Sequence, residues 1–460
     1  MSFMHSGRPT RRQFLAGTTG LGLLAGLSAC ASSRSGSGES TSTVAAVGHI
    51  RSATAITEIT GDGQKLVGVG VEYDTTIAAN ALTAESYSVP GRTITKVYPH
   101  MTAAIAATGT NGRYVIIELS PDDPTALLWG GPTQGASSTS THPSVAASAT
   151  SAGPVLGSTA HPAATPAVAR VQQIGAIRTV SGQTYAATPE AVTTSEAVDP
   201  LVDLFTQHSF SDPATSETLP YNLYVPTELE PGRRYPLVLF MHDASVVGAD
   251  VKGPLLQGLG AVCWAQPDDQ QRHPCFVVAP QYPTVVVADD YQPTPLFDTT
   301  INLVNDLVKR YPIDPARLHA TGQSMGAMMT LGMNIKHPTM FASSYVVAGQ
   351  WPAEQAAPLA HKRLWFTVSQ GDTKAYPMGN ELLAVVEREG STVTRATWDA
   401  RWPQERFARE VAAVGTHATD VDFISFTQGT VPVPSHGLRE HNGTWRIAYS
   451  IPGIRDWLLQ

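Results

Sequence analysis

The pentapeptide Gly322-Gln323-Ser324-Met325-Gly326 decides the fold of this chain. A short strand-like segment, Leu318 to Thr321, precedes it, and a helix-like segment, Ala327 to Met333, follows it. A serine at a sharp strand-to-helix turn needs small residues two positions away on either side, and it presents its hydroxyl at the edge of a parallel sheet. The pattern therefore predicts a nucleophile elbow in which Ser324 is the nucleophile.

The sequence around the elbow predicts an α/β domain. From about residue 200 onward, continuous apolar runs alternate with stretches of helical periodicity. Such runs are typical of parallel strands that are buried on both faces, and their alternation with helices predicts a mostly parallel sheet covered on both sides. The runs are Leu237–Met241, Phe276–Ala279, Tyr345–Ala348, Leu364–Val368 and Phe423–Phe426.

A serine hydroxyl is a weak nucleophile unless a base takes its proton and a carboxylate orients that base. In chains with this elbow, the acid and then the histidine follow the serine in sequence. Asp372 comes soon after the strand predicted at 364–368, which makes it the candidate acid. Two histidines, His436 and His441, come after the last predicted strand, and chain order alone leaves both open as the base.

Acyl transfer also requires backbone N–H groups that stabilise the oxyanion. The N–H of Met325, at the start of the predicted helix, is the first candidate. The loop after the first long strand supplies the second, from either Asp243 or Ala244, and the sequence does not distinguish these two. This chemistry requires no metal ion and no organic cofactor.

The N-terminal segment predicts export and lipid anchoring. Arg11-Arg12 opens a moderately apolar stretch that is typical of a twin-arginine signal over residues 1–30. Leu27-Ser28-Ala29-Cys30 resembles the lipobox of bacterial lipoproteins, which implies a diacylglycerol on Cys30 and a flexible tether over 31–43. Two acyl chains suffice for stable anchoring. We therefore expect a lipoprotein on the outer face of the cytoplasmic membrane.

A smaller all-β module is predicted over residues 44–125. Period-two stretches at 66–73, 93–98 and 113–119 indicate strands of a small sandwich. Asp62 lies between two glycines in a turn, so we interpret it as structural rather than as a metal ligand. Residues 126–198 are predicted to be a linker rich in Ala, Ser, Thr and Pro, with a return strand near 171–185. Within it, 133–166 is predicted to be disordered.

The composition argues against nucleic acid as a partner and against a membrane-spanning segment in the body of the chain. A formal net charge of −8 argues against nucleic acid, because phosphate binding needs a basic surface. No apolar run in the body of the chain approaches the ~20 residues of a membrane span.

The cysteines Cys263 and Cys275 could form a disulfide after export or remain buried thiols, and their spacing leaves both open. The sequence also leaves the oligomeric state open.

With these residues in place, the chain resembles bacterial esterases in which an immunoglobulin-like domain precedes an α/β-hydrolase domain. The hydrolase half, residues 199–460, is also similar to prolyl-oligopeptidase-like putative peptidases and polyhydroxybutyrate-depolymerase-like esterases. The resemblance implies the triad Ser324, Asp372 and His441, and thus favours His441 over His436. Ser245 departs from the family pattern, which has a glycine there. The stretches that carry the resemblance are 56–65, 91–98, 235–243, 279–283, 321–326, 371–377, 441–449 and 453–458.

The resulting expectation is a serine hydrolase that cleaves a small-molecule or polymeric ester through an acyl-enzyme on Ser324. A serine peptidase with the same triad and a non-catalytic binding lipoprotein are the alternatives. The β module could bind polymer or cell wall, or it could shape the entrance to the active site.

Overall fold

The computed structural model describes residues 48–130, 163–432 and 440–460. The predicted signal with Cys30, the tether at 31–43, most of the stretch predicted to be disordered and the alternative base His436 lie outside these ranges. Residues from Val44 onward belong to one unit, which contains both the β module and the hydrolase part. Within the described ranges, no helix is long and apolar enough to cross a membrane.

The β module is built around a sheet with the strand order β10-β1-β2-β5-β4 in the described part of the chain. Its central strands bury Val69 and Val71 of β2 against Val115 and Ile117 of β5. Shorter strands form a three-stranded sheet, β3-β6-β9, and a two-stranded sheet, β7-β8. The strands are β1 Ile50–Thr60, β2 Gly63–Ile77, β3 Tyr87–Ser88, β4 Ile94–His100, β5 Gly112–Leu119, β6 Arg170–Gln173, β7 Ile177–Arg178, β8 Thr184–Tyr185, β9 Val192–Thr193 and β10 Glu196–Val198.

The range predicted as a linker, 126–198, contains strands from residue 170 onward. Strands β6 to β8 lie near the return strand predicted at 171–185, whereas β9 and β10 lie beyond it and correct the linker prediction there. Strands β6 to β10 all lie in this range, and β10 pairs in parallel with β1, so the β module continues to Val198. These strands are two to four residues long and rich in polar residues. They therefore lack the alternating apolar pattern that reveals a longer strand.

The hydrolase part begins at about residue 199. Its strands are β11 Thr206–Asp212, β12 Glu217–Tyr224, β13 Tyr235–Met241, β14 Phe276–Pro280, β15 Ile313–Gln323, β16 Ser343–Val347, β17 Leu364–Ser369, β18 Val393–Trp398 and β19 Val421–Phe426. Its helices are α1 Gly253–Leu256, α2 Leu259–Val262, α3 Pro267–Arg272, α4 Pro295–Arg310, α5 Met325–Lys336, α6 Ala375–Arg388, α7 Gln404–Gly415, α8 Glu440–Ala448 and α9 Ile454–Leu459.

These strands form one sheet with the order β11-β12-β14-β13-β15-β16-β17-β19-β18 among the described residues. β12 pairs antiparallel with both of its neighbours, β11 and β14, and the remaining pairs are parallel. Successive residues of β13 alternate between two cores. Leu237 belongs to the hydrophobic cluster that includes residues of α4, α5 and α6, and Val238 belongs to the cluster that includes residues of α2, α7 and α9. The predicted α/β fold, with helices on both faces of the sheet, is confirmed.

The β module and the hydrolase part share buried contacts. Ile59 of β1 belongs to the same hydrophobic cluster as Phe240 of the hydrolase sheet. The buried carboxylate of Asp199, where the hydrolase part begins, accepts hydrogen bonds from Thr57 at 2.9 Å and Gln64 at 3.2 Å. The two parts are therefore joined by apolar burial and by a polar contact at the point where the chain passes between them.

Candidate active site

Ser324 lies at the turn between the end of β15 and the start of α5. Its φ of 52° and ψ of −115° are sparsely populated by residues other than glycine. Strain of this kind persists only where the surroundings over-determine the backbone, and it is a feature of nucleophile elbows. The strand, the strained serine and the helix occur in the predicted order.

The two glycines of the pentapeptide are required by close backbone contacts. A Cβ at Gly322 would lie 2.4 Å from the backbone of Gly326, and a Cβ at Gly326 would lie 1.9 Å from the carbonyl oxygen of Met241. Both distances are far below van der Waals contact. The elbow therefore packs directly against the end of β13, where the predicted oxyanion loop begins.

His441 connects the nucleophile to the acid. Its Nε2 lies 2.9 Å from the Oγ of Ser324, and its Nδ1 is hydrogen-bonded to the Oδ2 of Asp372. The ring stands edge-on to Trp445, with centroids 5.4 Å apart. The structure thus brings together Ser324, Asp372 and His441 in the geometry of a serine–histidine–aspartate triad.

Asp372 is buried in the loop between β17 and α6. Its Oδ1 accepts the N–H groups of Lys374 at 3.1 Å and Ala375 at 2.9 Å, which leaves Oδ2 for His441. Burial by itself raises the pKa of Asp372, but the hydrogen bond and charge of His441 and the two backbone N–H groups outweigh it. The pKa therefore lies below its usual value, and the carboxylate is ionised at neutral pH.

The loop after β13 lies beside the elbow. The Oδ1 of Asp243 accepts the N–H of Ser245 at 2.9 Å, and its Oδ2 accepts the side-chain amide of Gln323 at 2.9 Å. Gln323 also donates to Gln257 at 3.2 Å. The carboxylate of Asp243 is thus occupied by structural hydrogen bonds. This leaves the backbone N–H groups of the loop as the candidate oxyanion donors.

Glu440 is a site residue that the sequence analysis missed. It directly precedes His441, and its carboxylate accepts hydrogen bonds from the hydroxyl of Ser369 and, at 2.9 Å, from the N–H of Gly429. A Cβ at Gly371 would lie 2.2 Å from this carboxylate, so a larger residue there would displace the carboxylate from its hydrogen bonds. Glu440 therefore ties the start of α8 to the loop that carries Asp372. Its position next to the predicted base was the available signal.

The two remaining cysteines are free thiols. Cys263 and Cys275 are fully buried, and they are not bonded to each other. Burial raises the pKa of each thiol to about 12. The disulfide interpretation is therefore wrong, and the interpretation as buried thiols holds.

The β module matches a family model, and most of the chain matches a solved structure. Residues 52–186 match the esterase immunoglobulin-like N-terminal domain. A thermostable esterase is 25% identical and covers 89% of this chain and 98% of its own, with a TM-score of 0.71. A feruloyl esterase module from Clostridium thermocellum matches more distantly, at 13% identity, 55% and 86% coverage and a TM-score of 0.37. No curated protein matches the sequence.

Fold, site geometry and comparisons agree on the class of this protein: it is a serine hydrolase of the carboxylic ester hydrolase type. The predicted resemblance to esterases with an immunoglobulin-like domain ahead of an α/β-hydrolase domain is confirmed.

Proposed function

We propose that this protein is an exported, lipid-anchored carboxylesterase that cleaves its substrate through an acyl-enzyme on Ser324. The observation that carries the proposal is the continuous hydrogen-bonded series from Ser324 through His441 to Asp372. The substrate class is a small-molecule or polymeric ester.

The first step is attack of the Ser324 Oγ on the substrate carbonyl carbon while the Nε2 of His441 takes the hydroxyl proton. Asp372 accepts the Nδ1–H of His441, which holds the imidazole in the tautomer that leaves Nε2 free as a base. The new Oγ–C bond gives a tetrahedral oxyanion. His441 then donates its proton to the leaving alkoxide, and the C–O ester bond breaks. Water repeats the sequence on the acyl-enzyme, which releases the acid and restores Ser324.

Two backbone N–H groups support the oxyanion in this mechanism. Met325 is the first residue of α5, where an N–H has no partner within the helix. The second donor is the N–H of Ala244. The carbonyl of Asp243 in the same peptide unit accepts the Nδ1–H of His242 at 2.7 Å, and a trans peptide sets its N–H opposite its carbonyl. The proposal therefore selects Ala244 over Asp243.

Localisation rests on the N-terminal sequence. Arg11-Arg12 and the Leu27-to-Cys30 motif support twin-arginine export, followed by lipidation of Cys30. The anchor places the enzyme on the outer face of the cytoplasmic membrane. Fractionation and fatty-acid labelling of Cys30→Ser test this part, and the variant should lose both the label and membrane retention. Absence of the fatty-acid label from the protein that retains Cys30 would contradict the lipid anchor.

The catalytic test is hydrolysis of p-nitrophenyl esters, from acetate to palmitate, by the chain starting at Thr43. Ser324→Ala should reduce kcat by a factor on the order of 10⁴ or more. A fluorophosphonate should label the unmodified protein at Ser324 and leave the variant unlabelled. Labelling without hydrolysis of any ester, together with cleavage of peptide substrates, would favour the peptidase alternative. If the folded protein is not labelled and cleaves neither esters nor peptides, a binding role would be favoured.

A further inference from the structure

The turn between β1 and β2 of the immunoglobulin-like domain contacts the helix that carries His441. The Nη1 of Arg446, on α8, donates to the Oδ1 of Asp62 at 2.6 Å. Arg446 is largely shielded from solvent, with 17% of its side chain exposed. Among the described residues, Asp62 is the one carboxylate that forms an ion pair with it. Removing Asp62 would therefore leave a partly desolvated cation without its partner, which is costly.

The backbones of the turn and the helix also meet directly. A Cβ at Gly61 would lie 2.2 Å from the carbonyl oxygen of Arg446. Only glycine permits this approach, so the position of the turn fixes the position of the helix backbone. The Gly61-Asp62-Gly63 turn thus holds α8 through both a side-chain ion pair and a backbone contact.

Arg446 and His441 are close along the same short helix. They are five residues apart, which corresponds to a rise of about 7.5 Å along the axis. Between them, Trp445 stands edge-on to the ring of His441. Both residues belong to one helix of nine residues, so a tilt of this helix would displace the imidazole relative to Ser324. A displacement of about 1 Å at a reacting group can cost on the order of 100-fold in rate.

The same turn also reaches the other side of the site. A Cβ at Gly63 would lie 3.1 Å from the carbonyl oxygen of Leu256, and one at Gly258 would lie 3.5 Å from that of Gly61. The residue between Leu256 and Gly258 is Gln257, which accepts a hydrogen bond from Gln323 beside the nucleophile. The turn thus contacts α8, which carries the base, and the segment around Gln257, which lies next to the nucleophile.

We propose that the Gly61-Asp62-Gly63 turn is a positioning element of the active site, which holds His441 in line with Ser324 mainly through the Asp62–Arg446 ion pair. The inference rests on the proposed serine hydrolase function and deepens it. It makes the immunoglobulin-like domain part of the catalytic apparatus, through residues that contact neither substrate nor reacting atoms.

The test is a double-mutant cycle in the chain starting at Thr43, with Asp62→Asn, Arg446→Gln and the double variant. Lys65→Gln is the matched control, since Lys65 is the other cation paired with Asp62, at 3.1 Å, and lies within the turn's own hairpin. kcat and KM are measured with p-nitrophenyl acetate, and the rate of Ser324 labelling by a fluorophosphonate is measured in parallel.

Each single variant should lower kcat and the labelling rate roughly 10-fold, with KM changed less than about twofold. The double variant should be no slower than the slower single variant, and Lys65→Gln should retain kcat within about twofold. Should Asp62→Asn fail to fold, Asp62→Glu and Arg446→Lys, which keep both charges, should retain a larger share of kcat than Arg446→Gln.

The inference would be overturned by an unchanged kcat in folded Asp62→Asn, or by single effects that multiply in the double variant. An equal loss in Lys65→Gln would also overturn it, because the effect would then belong to the hairpin rather than to its contact with α8. Activity that survives Ser324→Ala would instead contradict the proposed function.

Discussion

The imidazole of His242 bridges two backbone groups: its Nε2 accepts the N–H of Tyr282 at 3.0 Å, and its Nδ1–H donates to the carbonyl of Asp243 at 2.7 Å. Burial lowers the pKa of His242 to about 4, although the carbonyl and the charge of Asp243 act in the opposite direction. The ring is therefore neutral at neutral pH, and Nε2 remains available as an acceptor. His242 links the oxyanion loop to the strand end at Tyr282.

Replacing His242 by leucine should impair both stability and catalysis. The N–H of Tyr282 would be buried without a partner, at a cost of roughly 1–3 kcal/mol. The carbonyl of Asp243 would lose its short hydrogen bond and keep only the N–H of Val246, at 3.3 Å. The proposed donor Ala244 would lose its fixed orientation, so kcat should fall on the order of 100-fold. Urea unfolding and kcat on p-nitrophenyl acetate measure the two effects.

His319→Leu is the control for that prediction. His319 is also buried and is hydrogen-bonded to Ser343, but it lies near the start of the strand segment that leads to the elbow. Its loss should lower the free energy of unfolding and leave kcat within about threefold. Equal kcat losses in both variants would show that buried histidines affect catalysis only through general stability.

Glu440 is predicted to keep the catalytic base in place. Glu440→Ala removes the acceptor for Ser369 and for the N–H of Gly429, so the start of α8 should loosen and kcat should fall about 10-fold or more. Glu440→Gln keeps an oxygen for Gly429 and should retain most of the activity. If the glutamine variant is as slow as the alanine variant, the charge of Glu440 is what matters, and not its hydrogen bonds with Ser369 and Gly429.

Asp422 is predicted to make stability fall as the pH rises. Burial raises its pKa well above the ordinary value of an aspartate, to about 6, although the hydrogen bond from Thr419 and the charges of Arg363 and His417 counteract burial. The folded state therefore holds the proton more tightly than the unfolded state, and stability decreases between about pH 4 and pH 6. At pH 8 the cost approaches about 3 kcal/mol, since one pKa unit corresponds to about 1.4 kcal/mol.

Asp422→Asn removes the titrating group and preserves an oxygen for the hydroxyl of Thr419, which now donates to Asp422 at 2.8 Å. The variant should therefore melt at a higher temperature than the unmodified protein at pH 8 and at a similar temperature at pH 4. Its activity should be unchanged, because Asp422 lies at the start of β19 and the triad lies beyond the opposite ends of the strands. A lower melting temperature at pH 8 would contradict the prediction.

The cysteines provide a chemical check on the fold. Cys263 and Cys275 are fully buried, and a raised pKa keeps them as thiols. Both should resist a thiol reagent in the native protein and react stoichiometrically in guanidinium. For the chain starting at Thr43, the intact mass after alkylation under denaturing conditions, without reductant, should show two modified cysteines. A mass with neither cysteine modified would indicate a disulfide.

The sequence predicted the site best where the chemistry depends on local backbone geometry. The elbow is encoded in five consecutive residues, and Gly322 and Gly326 are required by contacts that the motif implies. Asp372 follows from chain order. The choice between His436 and His441 rested on family resemblance, because a histidine at the start of a short helix has no local signature.

Contacts between distant parts of the chain could not be predicted from the sequence. Asp62 was correctly interpreted as a turn residue, but nothing in its neighbourhood indicates a partner on the last helices. The pairing of β10 with β1 was missed for the same reason, since three residues carry too little periodicity to indicate a strand. Such features depend on how domains pack together, and that depends on side chains from both of them.

The ion pair between Asp62 and Arg446 joins residues 384 positions apart. Contacts of such long range raise the contact order and form late, because the chain must first lose the conformational entropy of the long loop between the two residues. During synthesis from the N-terminus, the first hairpin is complete long before its partner helix exists. A chain that has not reached residue 440 carries the nucleophile and the acid but no base. Chains that end before residue 440 should therefore have no esterase activity, and the appearance of activity should report that the final helices have been made.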